Sequence, residues 1–176
     1  MKKLSTIVVF LISLMSFSQT DSITNILNSA LQNELRLQSE VMAEIDSTGT
    51  VIGYTKLADT IIVVKPFEIR DNVLSLTTQH NLPYDDGYYI EKQVVYLDKI
   101  TAINKDIGVL FETLSNDVTI STTTYHKDGS IIESAHTTDL FRTHCVSQRN
   151  NEYLRDDLIK AFKKAGYEIE SSYWYD

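Results

Sequence analysis

Apolar positions recur at helical spacing early in the chain and alternate at strand spacing through its middle, with the change falling near residue 47. Over 21–46, Ile23, Ile26, Leu27, Ala30, Leu31, Val41, Met42 and Ile45 stand mostly three or four residues apart, the stripe of an amphipathic helix. The stripe is interrupted at 34–38, so the segment reads either as one helix with a weak middle or as a helix followed by a strand. Ser47-Thr48-Gly49 then breaks the pattern.

Short runs of Val, Ile, Thr, Tyr and Phe, separated by turn residues, predict strands over 51–56, 60–64, 73–78, 88–97, 109–113, 118–126 and 131–141. Pro66 and Pro83 lack an N–H and are expected to end their strands, and Asp86-Gly87 offers a residue able to take positive φ. Lys127-Asp128-Gly129-Ser130 predicts a tight hairpin placing His126 opposite Ile131 and Thr122 opposite Ala135, with His136 facing Ile120 or Ser121. Thr119, Thr122, Thr123 and Thr124 read as β-branched strand formers.

A second helix is signalled by Asn150 as N-cap, acidic Glu152, Asp156 and Asp157 early, Lys160, Lys163 and Lys164 late, and Gly166 at the close. Leu154, Leu158, Ala161, Phe162 and Ala165 form its apolar face. Beyond it, Tyr167, Ile169, Ser171, Tyr173 and Tyr175 alternate with Glu168, Glu170, Ser172 and Trp174, which fits a terminal strand or an ordered tail. Since nothing alternates as βαβ, the order predicts an α+β fold: an antiparallel, meandering β-sheet or partly open barrel with an N-terminal and a C-terminal helix packed on it.

Val94-Val95-Tyr96-Leu97-Asp98-Lys99-Ile100, then strands, an Asp-Gly hairpin and a helix over 152–165, resembles the second half of a bacterial pleckstrin-homology-like domain. The resemblance implies a sheet capped by the late helix and a ligand-binding role. The long N-terminal helix and the strand-like 167–175 depart from that pattern.

The start of the chain adds an address. Lys2 and Lys3, a short apolar run over 7–15 and Ser16-Phe17-Ser18 read as a signal peptide over 1–18, cut near Ser18-Gln19, with 19–176 as a single exported α+β domain. The run is short of the about 20 apolar residues a membrane span needs, so no stable membrane insertion is expected after cleavage. Loss of Lys2 and Lys3 takes the formal charge from −8 to −10, which disfavours nucleic acid and anionic membrane surfaces as partners. The expected location is periplasmic or extracellular. Cys145 is the only cysteine, so no internal disulfide forms, and its alternation with Phe141 and Thr143 predicts a packed thiol.

Catalytic and metal signatures are sparse. His80, His126, His136 and His144 show no ligand spacing, and His144 beside Cys145 on a strand would diverge from it. Asp85-Asp86-Gly87 lacks the remainder of a calcium loop, and no nucleophile elbow, phosphate loop or dinucleotide fingerprint occurs. No cofactor is expected.

Aromatic clusters remain: Tyr84, Tyr88 and Tyr89 flank Asp85 and Asp86, while Tyr173, Trp174 and Tyr175 end the chain. Large side chains with a polar handle suit recognition of a protein, peptide or glycan. The sequence therefore points to an exported binding or interaction module. An exported hydrolase whose carboxylates and histidines meet only in the fold, and an inhibitor or immunity-like protein, are the alternatives.

Overall fold

The computed structural model describes residues 2–56, 61–83 and 86–175. The chain folds as α+β: among the described residues, two helices and three antiparallel sheets that do not close into a barrel. Helix α1 (Lys2–Ser39) runs unbroken through the expected interruption. Its buried face is Ile23, Leu27, Ala30 and Leu31, and the stripe continues through Glu34 and Gln38, both buried. The Glu34 carboxylate accepts the Ser147 N–H on both oxygens at 2.9 Å, and Gln38 donates to Glu34 at 3.0 Å. Buried polar groups are tolerated when bonded in this way.

Val41 and Ile45 belong not to the helix but to β1 (Val41–Ile45), which pairs with β2 (Val51–Lys56) in a hairpin where Ile45, Val51 and Ile52 are exposed. The main sheet has the order β3-β4-β5-β8-β9, built from β3 (Ile62–Arg70), β4 (Val73–Asn81), β5 (Tyr88–Tyr96), β8 (Val118–Tyr125) and β9 (Ile131–Thr138). A smaller sheet, β10-β7-β6, combines β6 (Ile100–Lys105), β7 (Val109–Thr113) and β10 (Leu140–Arg142). The tail extends it, with Ile103 N–H bonded to Glu170 O and Lys105 N–H to Tyr173 O. Helix α2 (Glu152–Lys164) buries Leu154, Leu158, Ala161 and Phe162 as its periodicity predicts. Phe111, Phe141 and Phe162 are fully buried, with the Phe111 ring centroid 6.3 Å from that of Phe141 and 5.5 Å from that of Phe162, in one core shared by both larger sheets and both helices.

Several expectations are corrected. Pro66 does not end its strand: β3 passes through it, because β3 is an edge and its register shifts between Lys65 and Glu68. At that irregularity the Asn28 side chain bonds both Phe67 N–H and Phe67 C=O at 2.9 Å, standing in for a neighbouring strand. The 131–141 strand divides at Asp139, where the chain leaves the large sheet for the small one. The segment 100–105, not expected as a strand, is β6. Helix α2 is capped at Asn151 rather than Asn150, without a side-chain cap bond, since Asn151 Oδ1 instead accepts Lys105 Nζ and Trp174 Nε1.

The β8–β9 register is one residue off the expected His126–Ile131 and Thr122–Ala135 pairing: Tyr125 faces Ile131 and Thr122 faces Ser134, while His136 faces Ile120, one of its two expected positions. The loop is longer than a two-residue turn. Gly129 N–H bonds His126 O, His126 N–H bonds Ser130 O, and Gly129 takes φ 85° as the bulge residue. The Ser130 hydroxyl donates to Asp128 Oδ1 and, with the Ser130 N–H on the same oxygen, holds that carboxyl below its ordinary range.

Candidate functional site

Side chains alternate across the main sheet, so register alone sorts its two faces. On the inner face Leu74, Leu76, Val95, Val118 and Ile120 lie in the core. The same face continues along the same strands into Thr78 and His80 on β4, Tyr89, Glu91 and Gln93 on β5, Thr122 and Thr124 on β8, and Ser134 and His136 on β9. There the covering layer stops, leaving a polar ledge that is part-buried at its centre and exposed along β9.

Gln93 builds the step between core and ledge. Its Oε1 accepts Arg142 N–H at 2.9 Å, and its Nε2 faces Arg142 O and His144 Nε2 at 3.3 Å each. With Oε1 accepting, Nε2 can only donate, so His144 Nε2 is the acceptor and its proton sits on Nδ1. His144 has φ 61°, a left-handed backbone that histidine takes more readily than most residues. That conformation turns its ring onto His80, with centroids 5.4 Å apart. His80 in turn stacks on Tyr89 at 4.9 Å, and its Nε2 lies 2.9 Å from the buried Thr78 hydroxyl.

Burial holds the His144 imidazole down at about 4, helped by His80 and Arg142. Burial also lowers His80, against the opposing pull of Glu91, and raises Tyr89. At neutral pH the trio is therefore an uncharged set of rings with donors and acceptors. His144 also lines a cavity of about 330 Å³ walled by Ile107, Val109, Leu110, Leu140 and Val146, with Arg142 at its side. Ligand pockets begin at about this size, near 300 Å³.

Neither of the two aromatic clusters expected as recognition surfaces presents its described rings together on one open face. Tyr84 and Asp85 lie outside the described residues. Asp86 is exposed and ion-paired with Lys127 at the hairpin tip. Gly87 does not take positive φ; it is glycine because a Cβ there would collide with the Tyr125 carbonyl. Tyr88 and Tyr89 point to opposite faces, Tyr88 stacking on Tyr125 at 4.8 Å on the outer face and Tyr89 joining the ledge.

At the chain end, Trp174 Nε1 donates to Asn151 and its ring lies 5.9 Å from the Arg155 guanidinium, so this aromatic fastens the tail. Tyr173 donates to Glu112 at 2.6 Å, a bond that pushes its hydroxyl up to about 12, and stacks on the exposed Tyr175 at 5.6 Å.

Cys145 is buried, and burial pushes its thiol up to about 12, which denies it thiolate chemistry. Among the described residues no three His, Cys, Asp or Glu side chains are placed to hold a metal. His80 and His144, missed as a site, did carry a signal: Thr78 and His80 extend the Leu74, Leu76 alternation, so polar residues occupy core-facing positions. Among the described residues no helix is long and apolar enough to cross a membrane. Comparison with protein-family models, curated proteins and solved structures found no match to this chain.

Proposed function

We propose that this chain is an exported, soluble binding module that takes its ligand on the polar ledge and in the adjoining apolar cavity. The observation that carries the reading is the meeting of His80, Tyr89 and His144, from three separate segments, at the border of both. Uncharged rings and hydroxyls beside a small apolar cavity match a peptide segment or glycan that presents one apolar group and several neutral hydrogen-bonding groups. The expected export supplies the compartment.

The test is binding of arrayed extended peptides and glycans to wild type, Tyr89→Ala and Tyr173→Ala. Tyr89→Ala should weaken the recognised ligand on the order of tenfold or more, the scale of a lost aromatic anchor, and Tyr173→Ala should leave it unchanged. Equal binding by Tyr89→Ala and wild type removes the reading.

The hydrolase alternative draws on the same convergence, with His144 as the base. Its difficulty is the missing partner, since the described residues around His144 offer no activated nucleophile and the neighbouring Cys145 thiol is buried. Turnover of a bound ligand, abolished by His144→Gln, would install it.

A further inference from the structure

The main sheet has two edges of different character. At β3 the edge carries two register shifts and Pro66, and Asn28 occupies Phe67. In the small sheet the tail covers β6, and β10 is only three residues long. Strand β9 is the opposite case: it pairs with β8 through an unbroken register, contains no proline, and seven of its eight residues are exposed. Such edges are templates for another strand.

The direction of its free groups follows from the hairpin. His126 N–H bonds Ser130 O, so bonding toward β8 alternates through Ile132, Ser134, His136 and Thr138. The N–H and C=O groups of Ile131, Glu133, Ala135 and Thr137 therefore point to the open side.

We propose that β9 pairs antiparallel with β9 of a second copy about a two-fold axis, joining two five-stranded sheets into one of ten. An axis perpendicular to the sheet keeps inner faces together, so only residues of the same parity can oppose each other. The central registers place either Ala135 or Ser134 on the axis, small in both cases.

Glu133, the single formal charge in the strand, then faces Thr137 or Ala135 of the copy and never itself. Ile132 meets Thr138 or His136. This freedom from like-charge opposition in the central registers favours a second copy over a partner of unrelated sequence. Each copy's ledge would also come to lie beside the covered end of its neighbour, so the two ligand surfaces share one side of the joined sheet at its opposite ends. The pairing goes beyond the ligand-binding reading and stands independently of it.

Sedimentation of the purified chain should show a concentration-dependent dimer that tightens with salt, because each copy carries a formal charge of −8. Hydrogen exchange should show the amides of Glu133, Ala135 and Thr137 protected only in the dimer, while those of Ile132, Ser134 and His136 are protected at every concentration. Ala135→Pro removes an outward N–H without touching the β8 ladder, and Ala135→Glu sets a second acid opposite Glu133 or opposite itself. Both should weaken the dimer on the order of tenfold or more, about the worth of one or two interstrand bonds, with the glutamate variant guarding against strain from proline. A monomer at every concentration, or a dimer that leaves the odd-numbered amides exchanging freely, overturns the proposal. Retained binding to Tyr89-dependent ligands by a monomeric variant would separate this outcome from failure of the ledge.

Discussion

The inner face of the main sheet is two surfaces on one set of strands. Toward one end Leu74, Leu76, Val95, Val118 and Ile120 lie beneath the helices and the small sheet; toward the other, Thr78, His80, Tyr89, Thr122 and Thr124 emerge from under that cover. Strand geometry is continuous across the boundary, so what differs is the companion layer. The dry end needs its cover because apolar burial at about 25 cal/mol per Å² is what holds the fold together. The polar end satisfies its own groups and can remain open. Stability and recognition thus occupy opposite ends of the same strands, with Gln93 at the seam.

The contrast breaks most visibly at the dry end. Phe111→Ala should cost about 3–5 kcal/mol by emptying a fully buried site among Phe141 and Phe162, read as a lower chemical denaturation midpoint. Gln93→Leu should cost less, about 1 kcal/mol, because it leaves the part-buried Arg142 N–H without its acceptor. It should also free His144, visible as a rise in that ring's pKa by NMR titration.

Acid provides a third lever. Both histidines are depressed in the folded state, His144 to about 4 from 6.5. Their contribution is complete above 6.5, where folded and unfolded forms are alike neutral, and is lost as pH falls from 6.5 toward 4, where the unfolded chain binds protons first. Denaturation midpoints should decline across that window, and His144→Gln should flatten the decline. Smallest of all, Thr122→Ala and Thr124→Ala on the ledge should shift stability by no more than about 0.5 kcal/mol. A larger loss would mean that something covers the ledge.

Much of the architecture was legible because burial imposes periodicity. Helix α2 and strand β7 follow their patterns closely, since each packs one face on the core. Errors arose where a buried position holds a polar residue or a loop resets the count. Glu34 and Gln38 look like a gap in the helical stripe, yet fill it by bonding Ser147 and each other. Asp128-Gly129 marks a turn correctly, but the extra bulge residue moves the register by one. Site legibility was poorer: Tyr89 was named, but its partners His80 and His144 stand 64 residues apart, and only strand order and the left-handed His144 backbone bring them together.

The chain holds a single tryptophan, and it sits where the tail meets β6 and α2. Ultraviolet emission excited at that indole therefore comes from one joint of the molecule rather than an average over many. A shift in its colour with the far-ultraviolet signal of the sheets unchanged reports undocking of the last residues, a built-in optical gauge that needs no label.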